Sequence, residues 1–549
     1  MKKISHLLFL VLISFTLLLS CSSRSKLTND TLYFNLGTEP PSLDPSKATD
    51  TTSNLVIENL MDNLTDYDIS TPDLKIVPKV AKSWKITEGG KVYTFTLRDD
   101  VLWTDGKKVT AQDFEYSWRR LIEPATAAEY AYFLFDIKNA KAFNEGKIKD
   151  FSKVGIKAIN DHTFQITLES PVSYFLHVST FSSLSPLRKD VIDQWGDRWT
   201  DPEHIVTNGP FKLTHWKHDY QLTLERNENY YGAKGKLKKV ECFMIVEQST
   251  ALSLYQTRKL DIITQVPTLD IPKLKQTPEF HSGNFLSTYY IGLNTKKAPL
   301  NNPYVRKALA SSINRNQITE MLQKGDIPTS SLIPMGMQGY NPDLGYKLNI
   351  EQAQEWMKKA GYEKKEGNTI SWVHSKTKEP FPTITFIYNT NEAHKTIAED
   401  LQAQWKKNLG ITMAIDNQEW KVYNNSLQGS HTSPETAPFH LFRLGWNADY
   451  PDPDNFMSLF TSYSDNNHTH WGNSKFDSLT EKAKVILDKT KRVDMYNKAQ
   501  KILLEEDTAI IPLYVYAHQS MWRDEVKGAQ MNPLDRWYFD QLWLERNIK

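Results

Sequence analysis

The sequence predicts a mixed α/β fold built from more than one domain, and three observations predict it. At 549 residues the chain exceeds what one hydrophobic core commonly serves. Short runs that alternate apolar and polar residues are interspersed with runs of helical period along the whole length. No internal repeat, low-complexity tract or glycine-rich linker divides it into independent beads.

Each element has its own signal. "KVYTFTLRDDVLW" (91–103) alternates and predicts a strand; "TAQDFEYSWRRLI" (110–122) opens on Thr110 as a cap with Asp113 nearby and predicts a helix. "HTFQITL" (162–168) and "YQLTLER" (220–226) predict further strands. "NPYVRKALASSI" (302–313) places Pro303 in a first helical turn, and "EAHKTIAEDLQAQWKKNL" (392–409) runs up to Gly410, a natural C-terminal stop.

The first twenty residues set Lys2 and Lys3 before an apolar stretch from Leu7 to Leu19, the architecture of a signal peptide and too short for a comfortable membrane span. The stretch ends in "LLLSC", which resembles the lipobox of bacterial lipoproteins. Residues 1–20 are therefore expected to be removed and Cys21 to carry lipid, with 21–26 as a polar tether. The one other cysteine, Cys242, lies in the alternating "VECFMIVEQ" and is expected as a buried strand residue without a disulfide partner.

With 66 basic and 65 acidic residues the chain is close to neutral, and nothing in that balance points to nucleic acid. Aromatic residues are many, 15 Trp, 25 Tyr and 24 Phe, which suits either a packed core or a ligand cavity with flat walls. No HExxH, GxSxG, P-loop or GxGxxG motif is present, so none of these familiar enzyme classes is indicated and no catalytic residue is assigned.

"GWNADYPDPDNF" (445–456) concentrates Asp449, Asp452 and Asp454 between prolines. Four readings fit: a catalytic carboxylate pair, a metal site, a solvated loop, or an anchor for a cationic ligand. A glycosidase pair needs a defined separation across a cleft, which one proline-rich loop does not establish. His468 and His470 would share a face on a strand, but a metal site usually needs three or four ligands, and no metal is assigned. "KGKLKK" (234–239) reads as a solvated loop.

Several stretches, in order, resemble one family, the extracytoplasmic oligopeptide-binding proteins of ABC importers. They are "EPPSLDPSKATD", the long block "PKVAKSWKITEGGKVYTFTLRDDVLWTDGKKVTAQDFEYSW" (78–118), "IVTNGPFKLTHW" with "LERNENYY", "YYIGLNTKKAP" with "PYVRKALASSINR", "NQEW" and "GWNADY". The resemblance covers nearly the whole mature chain. It implies a bilobal clamshell of the type II periplasmic-binding-protein kind with a third, smaller domain. Carried onto this sequence, the first lobe is expected from 27–62, 186–286 and 518–549, the extra domain from 63–185 and the second lobe from 287–517.

The resemblance also implies roles. Asp449 matches the aspartate that pairs with the α-amino group of a bound peptide, an ammonium that needs a charge-assisted partner once it leaves water. Asp452 and Asp454 are then expected as turn formers or surface charges. Arg443 and His394 match basic groups that meet the peptide carboxylate, whereas a third such position, an arginine in the family, falls on Leu427. Trp446, Trp420 and Tyr130 match aromatic positions around the ligand. Asn447 is a further ligand-side candidate, and with Ser287 it occupies the positions of a disulfide that some enteric relatives carry. Main-chain bonding like that of an added strand would make binding indifferent to side chains.

The implied function is that of a lipid-anchored, envelope-located monomer, without cofactor, that delivers short peptides to a membrane permease and its ATPases. Murein peptides, nickel chelates and haem are alternative ligands within the family. A lipid-anchored envelope hydrolase is the alternative from another class.

Overall fold

The computed structural model describes residues 28–71, 74–365, 367 and 369–547. The expected signal peptide, Cys21 and the expected tether lie outside these residues. The chain begins with β1 (Thr31–Asn35), buried along most of its length, and α1 (Thr51–Leu60), whose cap Asp50 accepts from the N–H groups of Thr52 and Ser53.

A small domain follows. Its antiparallel sheet consists of β2 (Ala81–Thr87), β3 (Val92–Leu97), β4 (Ile156–Asn160) and β5 (Thr163–Thr167) in the order β2-β3-β5-β4. The strand predicted over 91–103 stops at Leu97. Arg98 turns back to pair with Asp100 at 2.8 Å, and Leu102 makes only an isolated bridge to Lys108. The charged run "RDD" thus ends the ladder that the alternation alone would extend. α2 (Ala111–Ile122) starts at Thr110, whose backbone N–H donates to Asp113 at 2.8 Å, and lays Trp118 edge-on to Phe164, both fully buried.

The chain then builds β6 (Phe211–Lys217), β7 (Gln221–Arg226), β8 (Lys239–Phe243), α3 (Gln248–Gln256), β9 (Ile262–Ile263) and β10 (Phe280–Leu293). Cys242 is buried in β8 as a free thiol. The "KGKLKK" loop is solvated only in part, because Leu237 is fully buried and Lys239 begins β8.

Next come α4 (Pro303–Ser311), β11 (Ile327–Pro328), β12 (Ile384–Asn389), α5 (Glu392–Leu409), β13 (Met413–Gln418), α6 (Trp420–Gly429), β14 (Leu441–Asn447), α7 (Ser474–Lys484), α8 (Lys489–Lys501) and β15 (Ile510–Trp522). α5 ends at Gly410, which takes φ 66° and returns N–H bonds to the last turn.

One mixed sheet carries both lobes, in the order β13-β12-β14-β10-β15-β9-β1-β8-β7-β6, with β11 added to β15. β1 is parallel to β8 and β12 is parallel to β13 and β14, while β10 runs antiparallel to β14 and β15. β10 and β15 are the crossings between lobes. Their pairing breaks register between Asn284 and Thr288, and the expected lobe divisions at 286/287 and 517/518 fall inside these two strands. Separate cores fill the lobes, around Phe34 and Trp537 in one and around Tyr289 and Trp405 in the other. A third core joins the small domain to the segment after β14, so that Trp446, Tyr450 and Phe456 share it with Tyr130, Phe133 and Tyr174.

Candidate functional site

A cavity of about 370 Å³ lies between the lobes. It is walled by the N-terminal turns of α1, α5 and α6, by β14 and the loop after it, and by the crossing strands. All seven residues singled out from the sequence line it: Tyr130, His394, Trp420, Arg443, Trp446, Asn447 and Asp449.

At one end stands Asp449, two residues beyond β14. Its position is set by Asn455, which is fully buried and which no sequence motif singles out. The Asn455 carbonyl accepts from the Asp449 backbone N–H at 3.0 Å and from the Trp446 indole at 3.0 Å, while its amide donates to the Asp449 carboxylate at 2.9 Å. Tyr130 donates to the other carboxylate oxygen at 3.4 Å. Both donors are neutral, and Asp449 forms no ion pair among the described residues. Burial pushes its carboxyl up to about 7, against the Asn455 hydrogen bond and the charge of Arg536.

The neighbouring aspartates do other work. Asp452 holds Arg492 through two bonds, 2.6 and 2.8 Å, and also accepts from the Asp454 N–H, so it is a turn former in a partly buried ion pair. Asp454 is buried, receiving Tyr450 and Ser458 hydroxyls at 2.9 Å each. Neither is a free surface charge, because α7 and α8 fold back over the loop and supply Lys484 and Arg492. Ser287 and Asn447, the positions of the relatives' disulfide, face each other across β10 and β14 and share a hydrogen bond of 2.5 Å.

At the other end stands Arg443 on β14, buried, with its guanidinium over the Tyr289 ring at 4.8 Å. One amino group donates to Asn389 at 3.1 Å and the other to Tyr516, and Nε has no partner. No carboxylate pairs with it among the described residues. A buried cation without a counter-ion is costly, which marks the place for an anion.

His394, in the first turn of α5, is also buried with Nδ1 unpartnered. Burial, then Arg443 and Lys324, hold its pKa well below the ordinary histidine value. It is therefore neutral in this state, a hydrogen-bonding group and not the cation expected of it. Lys324, which the sequence did not single out, lines the same end, its pKa lowered by burial. Leu427 lines the cavity without a charge, so the third basic position has no cation here.

Trp446 and Tyr130 face each other at 6.2 Å and form an aromatic wall. Trp420 instead bridges the lobes, its indole N–H donating to Asp50, the cap of α1, at 3.3 Å. Other side chains at helix starts do likewise: Glu419, the cap of α6, accepts from Thr38 at 3.3 Å, Asn391, the cap of α5, donates to Gln265 at 2.9 Å, and Glu392 in the first turn of α5 accepts from the Ser249 N–H at 3.1 Å. His468 and His470 are in a loop and not on a strand. His468 bonds to His431 at 2.9 Å and His470 to Ser430 at 2.9 Å. No group of three or more His, Cys, Asp or Glu side chains among the described residues is arranged to hold a metal.

Comparison with known proteins decides the family. The model of the bacterial extracellular solute-binding proteins, family 5, matches residues 75–468. The chain belongs to this family. Family members similar to it include the oligopeptide-binding protein OppA of Bacillus subtilis, 34% identical over 99% of this chain and 100% of the relative. Among solved structures, Haemophilus influenzae OppA in complex with the peptide RPPGFSPFR is 31% identical, covers 96% of this chain and 100% of that one, and superposes with a TM-score of 0.85.

The Escherichia coli murein tripeptide-binding protein MppA, 32% identical with 94% of this chain and 99% of that one covered, gives 0.86 in one structure. Its unliganded open form, at the same identity, covers 94% of this chain and 98% of that one and gives 0.61. The fold is thus the family's bilobal clamshell with an additional domain, and the contacts between lobes at the helix N-termini describe it closed. No described helix is long and apolar enough to cross a membrane.

Proposed function

We propose that this chain is the substrate-binding component of an oligopeptide importer, closing its lobes around a short peptide and presenting it to a permease. The observation that carries the reading is the edge of β14. It pairs with β12 only through Leu441 and Phe442, so from Arg443 onward its second edge faces the cavity without a strand partner. An extended peptide can add there as a strand, through main-chain bonds that ignore sequence. The uncompensated cation Arg443 and the uncompensated carboxylate Asp449 stand at opposite ends of that edge. The peptide's ammonium goes to Asp449 and its carboxylate to Arg443, so the peptide runs antiparallel to β14.

The Bacillus subtilis relative, an oligopeptide-binding protein by name, and the Haemophilus influenzae relative solved in complex with a peptide support this reading. We place the protein in the cell envelope, anchored through lipid on Cys21, as a binding protein without catalysis. The expected lobe divisions become the hinge: a ligand bridging Asp449 and Arg443 of one lobe and the α1 face of the other favours the closed state.

A thermal-shift titration tests it. Trialanine at a hundred times Kd should stabilise the native protein by about 2.7 kcal/mol. N-acetyl-trialanine should shift it far less. Equal shifts with both, or none with either, would overturn the reading.

Binding should also depend on pH. The empty carboxyl sits at about 7 against 3.8 when unfolded, so the empty native protein binds the extra proton and loses stability as pH rises through that window. A bound ammonium favours the ionised form. Affinity for free-amine peptides is therefore full above about pH 7 and falls as pH drops below it, by up to about tenfold per unit. Calorimetry between pH 5.5 and 8 checks this, and an affinity that does not change across that range contradicts it.

A further inference from the structure

Resting on the peptide reading above, we propose that Glu58 of α1 gives the cavity a preference for peptides whose first residue carries a cationic side chain. Glu58 lines the cavity from the first lobe, opposite Asp449 of the second, and is close enough that its charge bears on the Asp449 carboxyl. A carboxylate can only accept hydrogen bonds, and Glu58 accepts none from the described residues. Its one ion-pair contact is Nε of Arg536 at 3.5 Å.

That guanidinium is already committed. It donates to Asp66 at 3.2 Å and to Tyr538 at 3.2 Å and lies over the Tyr67 ring. Lys79 behind it is divided between Asp62 at 3.2 Å and Asp66 at 3.7 Å. Asp535, also on the cavity wall, meets His518 at 3.3 Å. Glu58, Asp62, Asp66, Asp449 and Asp535 therefore face two permanent cations, Lys79 and Arg536. Burial pushes the Glu58 carboxyl up to about 7, as it does that of Asp449, so a second cation brought to Glu58 favours its ionised form.

Geometry places the next positive charge. The side chain closest to the anchored ammonium is that of the peptide's first residue, and Glu58 is a cavity-lining carboxylate whose charge acts on the Asp449 carboxyl and which lacks a hydrogen-bond donor. Its side chain keeps 12% exposure, which leaves the carboxylate reachable from the cavity. A lysine or arginine there gains a charge-assisted hydrogen bond that a neutral chain of the same length cannot form.

The test compares Lys-Ala-Ala with norleucine-Ala-Ala, near-isosteric and neutral, and with Ala-Ala-Ala, by titration calorimetry on the mature protein and its Glu58→Gln variant. The wild type should prefer lysine over norleucine by about tenfold, the yield of one partly buried charge pair. In the variant that ratio should fall to about one. Equal affinities in the wild type, or a preference that survives in Glu58→Gln, overturn the proposal, and the wild-type comparison decides it even if the variant does not fold. Failure of Ala-Ala-Ala itself to bind would overturn the peptide reading and this proposal together. Binding of Ala-Ala-Ala without a lysine preference overturns this one alone.

Discussion

Asn in place of Asp449 lowers the affinity for a free-amine tripeptide by about 150-fold, equivalent to roughly 3 kcal/mol, the cost of leaving one partner of a buried pair uncompensated. The change preserves shape, and Asn455 can still hold the new amide through the contacts that now fix the carboxylate. Thermal stability of the empty protein should therefore hold or rise, because a carboxyl that burial already pushes up to about 7 is removed. The N-acetylated peptide should bind wild type and variant alike. Calorimetry with both ligands and both proteins checks the cycle, and an equal loss for both ligands would show that Asp449 acts only through the loop.

The second large effect is at Arg443. Replacing it by glutamine should cost about 3 kcal/mol or more in affinity for a peptide with a free carboxylate, and amidating the peptide should cost the wild type nearly as much. In the empty protein Arg443 is a buried cation held by Asn389, Tyr516 and the Tyr289 ring, with no counter-ion among the described residues. Losing it should leave melting temperature unchanged or higher, a stability–function opposition seen at binding sites. Measured binding to amidated and free peptides in both proteins separates the two roles. A variant that loses stability and keeps affinity would make Arg443 structural.

Much of this is legible in the sequence. α2 and α5 carried their caps in Thr110 and Gly410, and local hydrogen bonding fixes such ends without tertiary help. The cavity residues were legible only through the ordered resemblance of long blocks, since no property of Asp449 itself separates it from Asp452 or Asp454. What was not legible is what depends on distant chain. Asp454 read as a turn former or surface charge because α7 and α8, which bury it, return to the loop from later in the sequence. Asn455 and Lys324 act through where the fold puts them, and the alternation over 91–103 gave no warning that Arg98 would turn back on Asp100. His394 was expected as a basic group through the resemblance alone, and burial beside Arg443 keeps it neutral here.

In the proposed function the cavity holds a peptide by both ends along the free edge of β14. A crystal structure of the mature protein with trialanine tests it most directly. The expected result is a closed protein with the peptide antiparallel to β14, its ammonium hydrogen-bonded to Asp449 and its carboxylate turned toward Arg443. A peptide bound in the reverse direction, or bound away from β14, would contradict the account.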